Sequence, residues 1–150
     1  MTGVQTCALD LDVMYHRAVD PDVMLKECCR ILRPGGLLLL NLPAYEWLRS
    51  YHDEHVQTGQ RYTLGSLATA MRGHPLKRLK GTYWNALLFL PLVLKRKLSS
   101  TSQEHSDVSE FPPWLDKICY TLMSLENGWI CHGGYLPFGS SVFAIYSRQA

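Results

Sequence analysis

Apolar positions fall into blocks of different period along this chain, and each block predicts a different element. Leu9-Asp10-Leu11-Asp12-Val13-Met14 is short, apolar and broken by two acids, and it reads as the end of a strand with a polar exit. Asp20 then offers an N-cap, and Pro21 takes the first helical position, where a missing N–H costs nothing. Leu25, Cys28, Cys29 and Leu32 recur at i, i+3, i+4 and i+7, the apolar stripe of a three-turn helix, with both cysteines as core residues. Arg33 closes the last turn and Pro34-Gly35-Gly36 forbids further helix. Leu37 to Leu42 is an almost unbroken apolar run, which predicts a strand covered on both faces, and Pro43 ends it. Strand, capped helix, tight turn and buried strand make a βαβ unit with a right-handed crossover. The strands at 10–13 and 37–42 are therefore expected to be adjacent and parallel. Ligands of open α/β sheets bind beyond the carboxyl ends of the strands, and the segments at 12–17 and 43–62 occupy that place.

The rest of the chain is more mixed. Residues 44–62 are polar and aromatic. Thr63 can cap a short helix with Leu64, Leu67, Ala68 and Met71 on one face, stopped by Gly73 and Pro75. Leu76 to Tyr83 alternates in part, as a strand does. Trp84 to Leu94 is apolar nearly all round and is followed by Lys95-Arg96-Lys97. At about 11 residues this run is too short to span a bilayer. It predicts either a helix buried in a lid over the sheet or, through its apolar face and trailing cations, a helix lying on a membrane surface. Leu98 to Glu110 is Ser-rich and reads as a flexible loop. A helix from Pro112-Pro113 carries Leu115, Ile118, Cys119, Leu122 and Leu125 on one face and is broken at Gly128 and Gly133-Gly134. Ser141 to Tyr146 is a last strand.

Composition narrows the class without choosing a function. With 150 residues, 47% hydrophobic and 19% charged, the chain can build one core. A net charge of +2 is too mild for a nucleic-acid binder. Five cysteines, none in C-x-x-C spacing, argue against a disulfide framework or a zinc knuckle and point to a reducing, cytoplasmic setting. The N-terminus lacks the layout of a signal peptide.

Four motifs carry a family resemblance. Leu11-Asp12-Val13-Met14-Tyr15-His16 resembles the fourth-strand signature of class I S-adenosylmethionine-dependent methyltransferases, usually L-D-V-L-E-H. Leu25 to Asn41, with Arg33-Pro34-Gly35-Gly36 at its centre, resembles their helix-turn-fifth-strand signature. His52-Asp53 and Arg61-Tyr62-Thr63 resemble a substrate-side H-D…R-R-Y-T segment of one subgroup. Tyr83-Trp84-Asn85 and Leu136-Pro137-Phe138-Gly139-Ser140 resemble the same subgroup. Tyr15 stands where Glu is usual, and Gln60 replaces the first Arg of the pair.

The resemblance covers roughly residues 9–148 and implies the C-terminal part of a Rossmann-like α/β methyltransferase domain. Its last four strands would form a mixed sheet with the final one antiparallel between its neighbours, and residues 84–127 would be a helical lid insertion. No G-x-G precedes Asp12, so the glycine-rich cosubstrate turn of the family is missing. Gly3 to Leu9 matches at every position the peptide encoded by a common sequencing adapter. Residues 1–9 thus read as a non-native leader and 10–150 as a fragment, a native start being the other reading.

The implied cofactor is S-adenosylmethionine, with Leu11, Asp12, Val13 and His16 on its side of the site. Asp12 either accepts a hydrogen bond there or caps the following turn, and His16 either faces the acceptor or bonds the loop. Tyr45, His52, Asp53, Arg61 and Tyr62 are the candidate substrate-side residues. His52 beside Asp53 suits a base and Arg61 suits a carboxylate or phosphate, while a solvated loop with ordinary salt bridges explains the same residues. His52-x-x-His55 and Asp10-x-Asp12 are too sparse to make a metal site. Methyl transfer from a sulfonium needs alignment more than acid–base help, so no catalytic residue is assigned. The acceptor is expected to be a small molecule, hydrophobic or lipid-like if the 84–97 segment meets a membrane. A non-catalytic interaction module or membrane-surface module retaining half of the fold is the alternative.

Overall fold

A computed structural model describes residues 13–49, 51–98 and 112–150. Leu11, Asp12 and most of the expected first strand lie outside the described residues, and so does the expected pairing of 10–13 with 37–42; Val13 and Met14 lie in a bend and turn.

Helix α1 (Pro21–Ile31) begins as its sequence requires. The Asp20 carboxylate accepts from the Asp22 and Val23 amides, and Leu25, Cys28 and Cys29 are buried. It stops one turn-position earlier than Arg33, because Leu32 already adopts extended backbone and tucks its side chain into the core at 1% exposure. Gly35 follows at φ 80°, a conformation that favours glycine. Its amide donates to Arg148 O at 2.8 Å, and the Arg148 amide returns a bond to Gly36 O at 2.9 Å. The Pro-Gly-Gly turn is thereby fastened to the end of the last strand.

Strand β1 (Leu37–Pro43) shows a correction. Leu38, Leu40 and Leu42 are fully buried, whereas Leu37, Leu39 and Asn41 are partly exposed. Apolarity is continuous, but one face is packed more deeply than the other. The deep face meets Leu25, Cys28 and Leu32 from the α1 region and Leu67 and Met71 from the α3 region.

After β1 come a short 3-10 turn (Glu46–Leu48) and helix α2 (Tyr51–His55), where the sequence suggests only a polar loop. Helix α3 (Leu64–Ala70) opens with a full capping box, in which Thr63 and Ser66 exchange side-chain to backbone hydrogen bonds. Strand β2 (Leu76–Trp84), helices α4 (Ala86–Leu98) and α5 (Pro113–Cys131), and strand β3 (Ser141–Arg148) complete the order.

The sheet among the described residues has three strands in the order β1-β3-β2. β3 runs antiparallel to both neighbours, pairing Ser141 with Pro43 and with Trp84. The final strand is thus central and antiparallel, as expected. β1 and β2 are parallel to each other through it, so their carboxyl ends open on the same edge. The described sheet is antiparallel at each pairing and has three strands, not the expected four in a mixed sheet; the segment expected as the fourth lies outside the described residues except for Val13, which is in a bend.

Two helices differ from expectation. α5 continues through Gly128 to Cys131 and breaks only near Gly133, at φ 91°. A glycine in an exposed helix costs about 1 kcal/mol relative to alanine, too little to end a helix alone. Ile118 and Leu125, expected on the packed face of α5, are instead exposed. α4 buries Ala86 and Phe89 but leaves Leu87 and Leu94 open, so it is not the fully covered helix that its all-round apolarity suggests.

Candidate functional site

The carboxyl edge of β1 and β2 gathers the chemistry. Immediately beyond β1, Ala44 forms a parallel bridge with Tyr62, and the Tyr45 amide donates to Tyr62 O at 3.1 Å. The 13–17 turn joins the same edge. His16 bridges Thr58, and the Gly59 and Gln60 amides both donate to Tyr15 O at 2.7 and 3.2 Å. The Tyr62 hydroxyl donates to Met14 O at 3.3 Å and receives a bond from the side-chain Nε2 of Gln60. The two segments expected to face a ligand are therefore stitched together, and they bring Val13, His16, Tyr45, Asp53, Arg61 and Tyr62 into one neighbourhood. Leu11 and Asp12 fall outside the described residues, as does the side chain of His52.

Asp53 and Arg61 form a buried ion pair. Arg61 Nη2 lies 2.7 and 2.9 Å from the two Asp53 oxygens, and Nη1 donates to Ala44 O at 2.9 Å. Their side chains are 5% and 8% exposed. A guanidinium so enclosed has both terminal nitrogens engaged, and an incoming anion would have to displace Asp53. The pair instead clamps α2 to the exit of β1. Around it, Glu46 accepts from Arg49 Nε at 2.5 Å and from the Arg61 amide at 3.1 Å, while Arg49 donates to the Thr58 and Gly59 carbonyls. The nearby arginine Arg49 holds the Glu46 carboxyl below its usual range.

Next to this clamp stands an aromatic wall. Tyr45 stacks on Tyr83 with ring centroids 5.2 Å apart and planes 8° apart. Trp47 and Phe89 lie 5.7 and 5.9 Å from Tyr45 and 6.0 Å from each other, edge to face. Phe138 extends the wall from Phe89 at 5.8 Å. Tyr83 and Phe89 are buried, while Trp47 and Phe138 stand at the exposed rim. Backbone strain marks the same edge. Tyr45, just beyond the end of β1, has φ 54°, while Asn85 beyond β2, at φ 57°, is of a type that tolerates this region. A bulky residue rarely adopts this region, and such outliers gather at functional sites. The Asn85 Oδ1 is buried without a hydrogen-bond partner among the described residues.

Sequence reasoning placed Tyr45 in the site but did not group Trp47, Tyr83, Phe89 and Phe138 with it. The available signal was the recurrence of aromatics at the exits of both strands and in the segment before the last one. Four segments must converge before that recurrence becomes a wall.

Burial raises the Tyr45 hydroxyl to about 12, helped by neighbouring Tyr83, and burial raises the Tyr62 hydroxyl to about 12 as well. Neither phenol is a base near neutral pH. Their ordinary value is 10.0, so the unfolded chain ionises first. The stability held by the neutral, packed phenols is complete below pH 10 and lost as pH rises toward about 12. Denaturant midpoints measured across that window should fall, and Tyr62→Phe should blunt the fall. A midpoint that stays level would contradict this assignment.

Among the described residues, no group of three or more His, Cys, Asp or Glu side chains could hold a metal ion, and no helix is long and apolar enough to cross a membrane. No protein-family model matches the chain, and no curated protein matches it significantly. Among solved structures, the chain is similar to a protein from Galdieria sulphuraria provisionally assigned as a sarcosine dimethylglycine methyltransferase. Identity is 13%, the TM-score is 0.47, and the match covers 92% of this chain and 51% of that one. The chain thus spans about half the length of that protein.

Proposed function

We propose that this chain is the acceptor-side, C-terminal portion of a class I S-adenosylmethionine-dependent methyltransferase that acts on a small, hydrophobic molecule. The observation that carries the reading is the sheet edge. A final strand runs antiparallel between two mutually parallel strands, and the loops leaving those parallel strands carry the aromatic wall. The ordered motifs from Leu11-Asp12-Val13 through Arg33-Pro34-Gly35-Gly36 to Leu136-Pro137-Phe138-Gly139 support it from the sequence side.

The described residues fit the acceptor better than the cosubstrate. Of the four residues expected beside S-adenosylmethionine, only Val13 and His16 are described, and the glycine-rich turn that would receive its methionine part is absent from the sequence. When bound, the cosubstrate would supply an electrophilic methyl group. Tyr45, Trp47, Phe89 and Phe138 would hold an apolar acceptor flat against the sheet edge and keep water away, which suits a reaction that depends on alignment. The Asp53–Arg61 clamp would hold the Tyr45 backbone in its strained conformation and so act as a positioning element, not as a group that touches substrate.

The test compares two chains. A chain extended upstream, so that a G-x-G-x-G strand-turn precedes Asp12, is expected to bind S-adenosylmethionine with roughly micromolar affinity in a calorimetric titration and to transfer its labelled methyl group to a hydrophobic acceptor. The 150-residue chain is expected to bind it weakly or not at all. An extended chain that folds yet neither binds nor transfers would remove the reading, and so would ordinary micromolar binding by the 150-residue chain alone.

A further inference from the structure

The two helices between β2 and β3 expose more apolar surface than a covered lid would. On α5, Trp114, Ile118, Leu125 and Trp129 are 64%, 47%, 64% and 59% exposed. Their spacings of four, seven and four residues place them on one face of the helix. On α4, Leu87 and Leu94 are 48% and 59% exposed and lie two turns apart on one face. The two stripes meet, since Leu87, Leu125 and Trp129 line one open groove of about 330 Å³ with Leu136 and Glu126. The helices are tied together at that end by the Glu126 carboxylate, which accepts from the Ala86 and Leu87 amides at 3.0 and 3.3 Å. Isolated exposed apolar residues are ordinary, but a contiguous stripe with two tryptophans marks an interaction surface.

We propose that this two-helix face docks on the surface of an anionic lipid bilayer. Charge selects that occupant. α4 contains no acidic residue, and its last turn carries Lys95, Arg96 and Lys97. At about 100° per residue, positions 95 and 97 flank the line through Leu87 and Leu94. On α5, position 117 flanks the Trp114–Ile118 line, whereas the acid Asp116 falls on the opposite side of the helix. Cations around an apolar stripe suit a negatively charged interface, and tryptophan prefers the boundary between headgroups and acyl chains. The buried centre of a protein–protein contact is instead depleted of charged residues, lysine among them. Neither α4, with 13 residues, nor α5, with 19, qualifies as a membrane span, so the contact is peripheral. This inference is independent of the methyl-transfer reading and concerns where the protein sits, not what it catalyses.

The experiment mixes the 150-residue chain with vesicles of phosphatidylcholine, alone or with phosphatidylserine, and reads co-sedimentation and tryptophan emission. Binding is expected with phosphatidylserine and much less without it, with a blue-shifted emission and a loss of binding in high salt. Since each interfacial cation contributes about fivefold in partitioning, the variant Lys95→Glu/Arg96→Glu/Lys97→Glu should lower it at least about tenfold. Trp114→Ser should weaken binding and diminish the emission shift; this side chain is exposed, so circular dichroism should show the fold retained. Three results would overturn the proposal. These are no binding to either vesicle, equal binding to both that ignores salt, and concentration-dependent dimerisation without lipid that quenches the change at Trp114, which would assign the face to a second copy of the chain.

Discussion

Asp53→Asn is expected to lower the unfolding free energy by about 3–5 kcal/mol, read as a shift of the urea midpoint at constant slope. The size follows from what the substitution leaves behind. Arg61 is 8% exposed, and its charge is balanced at 2.7 and 2.9 Å by the two Asp53 oxygens. An asparagine keeps the shape but strands the guanidinium in a poorly solvated place. The backbone carbonyl of Ala44 remains as a partner, but a dipole does not replace a charge. Replacing both members with apolar residues of similar size, as in Asp53→Leu/Arg61→Met, should cost far less than the single change, because no charge is then left unpaired. A single variant within about 1 kcal/mol of the parent would show that the pair is solvated like an ordinary surface bridge. That outcome would also return Arg61 to the list of groups free to meet an anionic acceptor.

Gly139→Ala is expected to be the most damaging small substitution near the aromatic wall. A Cβ at this position would collide with the carbonyl oxygen of Trp84 and would lie 2.8 Å from its carbonyl carbon and 2.9 Å from its nitrogen. Backbone in a paired strand cannot give way as a flexible side chain can. The strap at 136–139 must therefore lift from β2, which strains the bonds between the Leu136 amide and Thr82 Oγ1 at 2.9 Å and between the Tyr83 amide and Leu136 O at 3.3 Å. Overpacking of this kind costs about 1–3 kcal/mol, and the rigid neighbour puts this case at the upper end. Phe138 moves with the strap, away from Phe89. A hydrophobic fluorescent probe that binds the wall should then bind less well even where the variant remains folded. Unchanged stability and unchanged probe binding would mean that the strap is not seated on β2.

Legibility in the sequence followed the range of the interactions concerned. The N-cap at Asp20, the cap at Thr63 and the Pro34-Gly35-Gly36 turn each act within a few residues, and each stands where the pattern puts it. The last strand, read at Ser141 to Tyr146, is observed at Ser141–Arg148. The candidate site was legible in part. Of the candidates Tyr45, His52, Asp53, Arg61 and Tyr62, the structure places Tyr45, Asp53, Arg61 and Tyr62 at one edge, the His52 side chain lies outside the described residues, and the charge of Arg61 is spent on Asp53. A loop rich in His, Asp, Arg and Tyr reads the same whether its charges face a ligand or one another. Only the fold of 44–62 over the exit of β1 distinguishes the two.

The sequence by itself therefore determined the elements whose signals are local. These are the capped helix α1, the glycine turn, the apolar strand β1, the short helix α3 and the last strand. Caps, glycine conformations and strand patterns are stabilised by neighbours along the chain. Tertiary structure alone decided the burial of the Asp53–Arg61 pair, the gathering of five aromatic rings from four segments, and the exposure of the apolar faces of α4 and α5. Exposure depends on what other elements cover a face and pairing depends on which loops meet, so no window of adjacent residues contains that information.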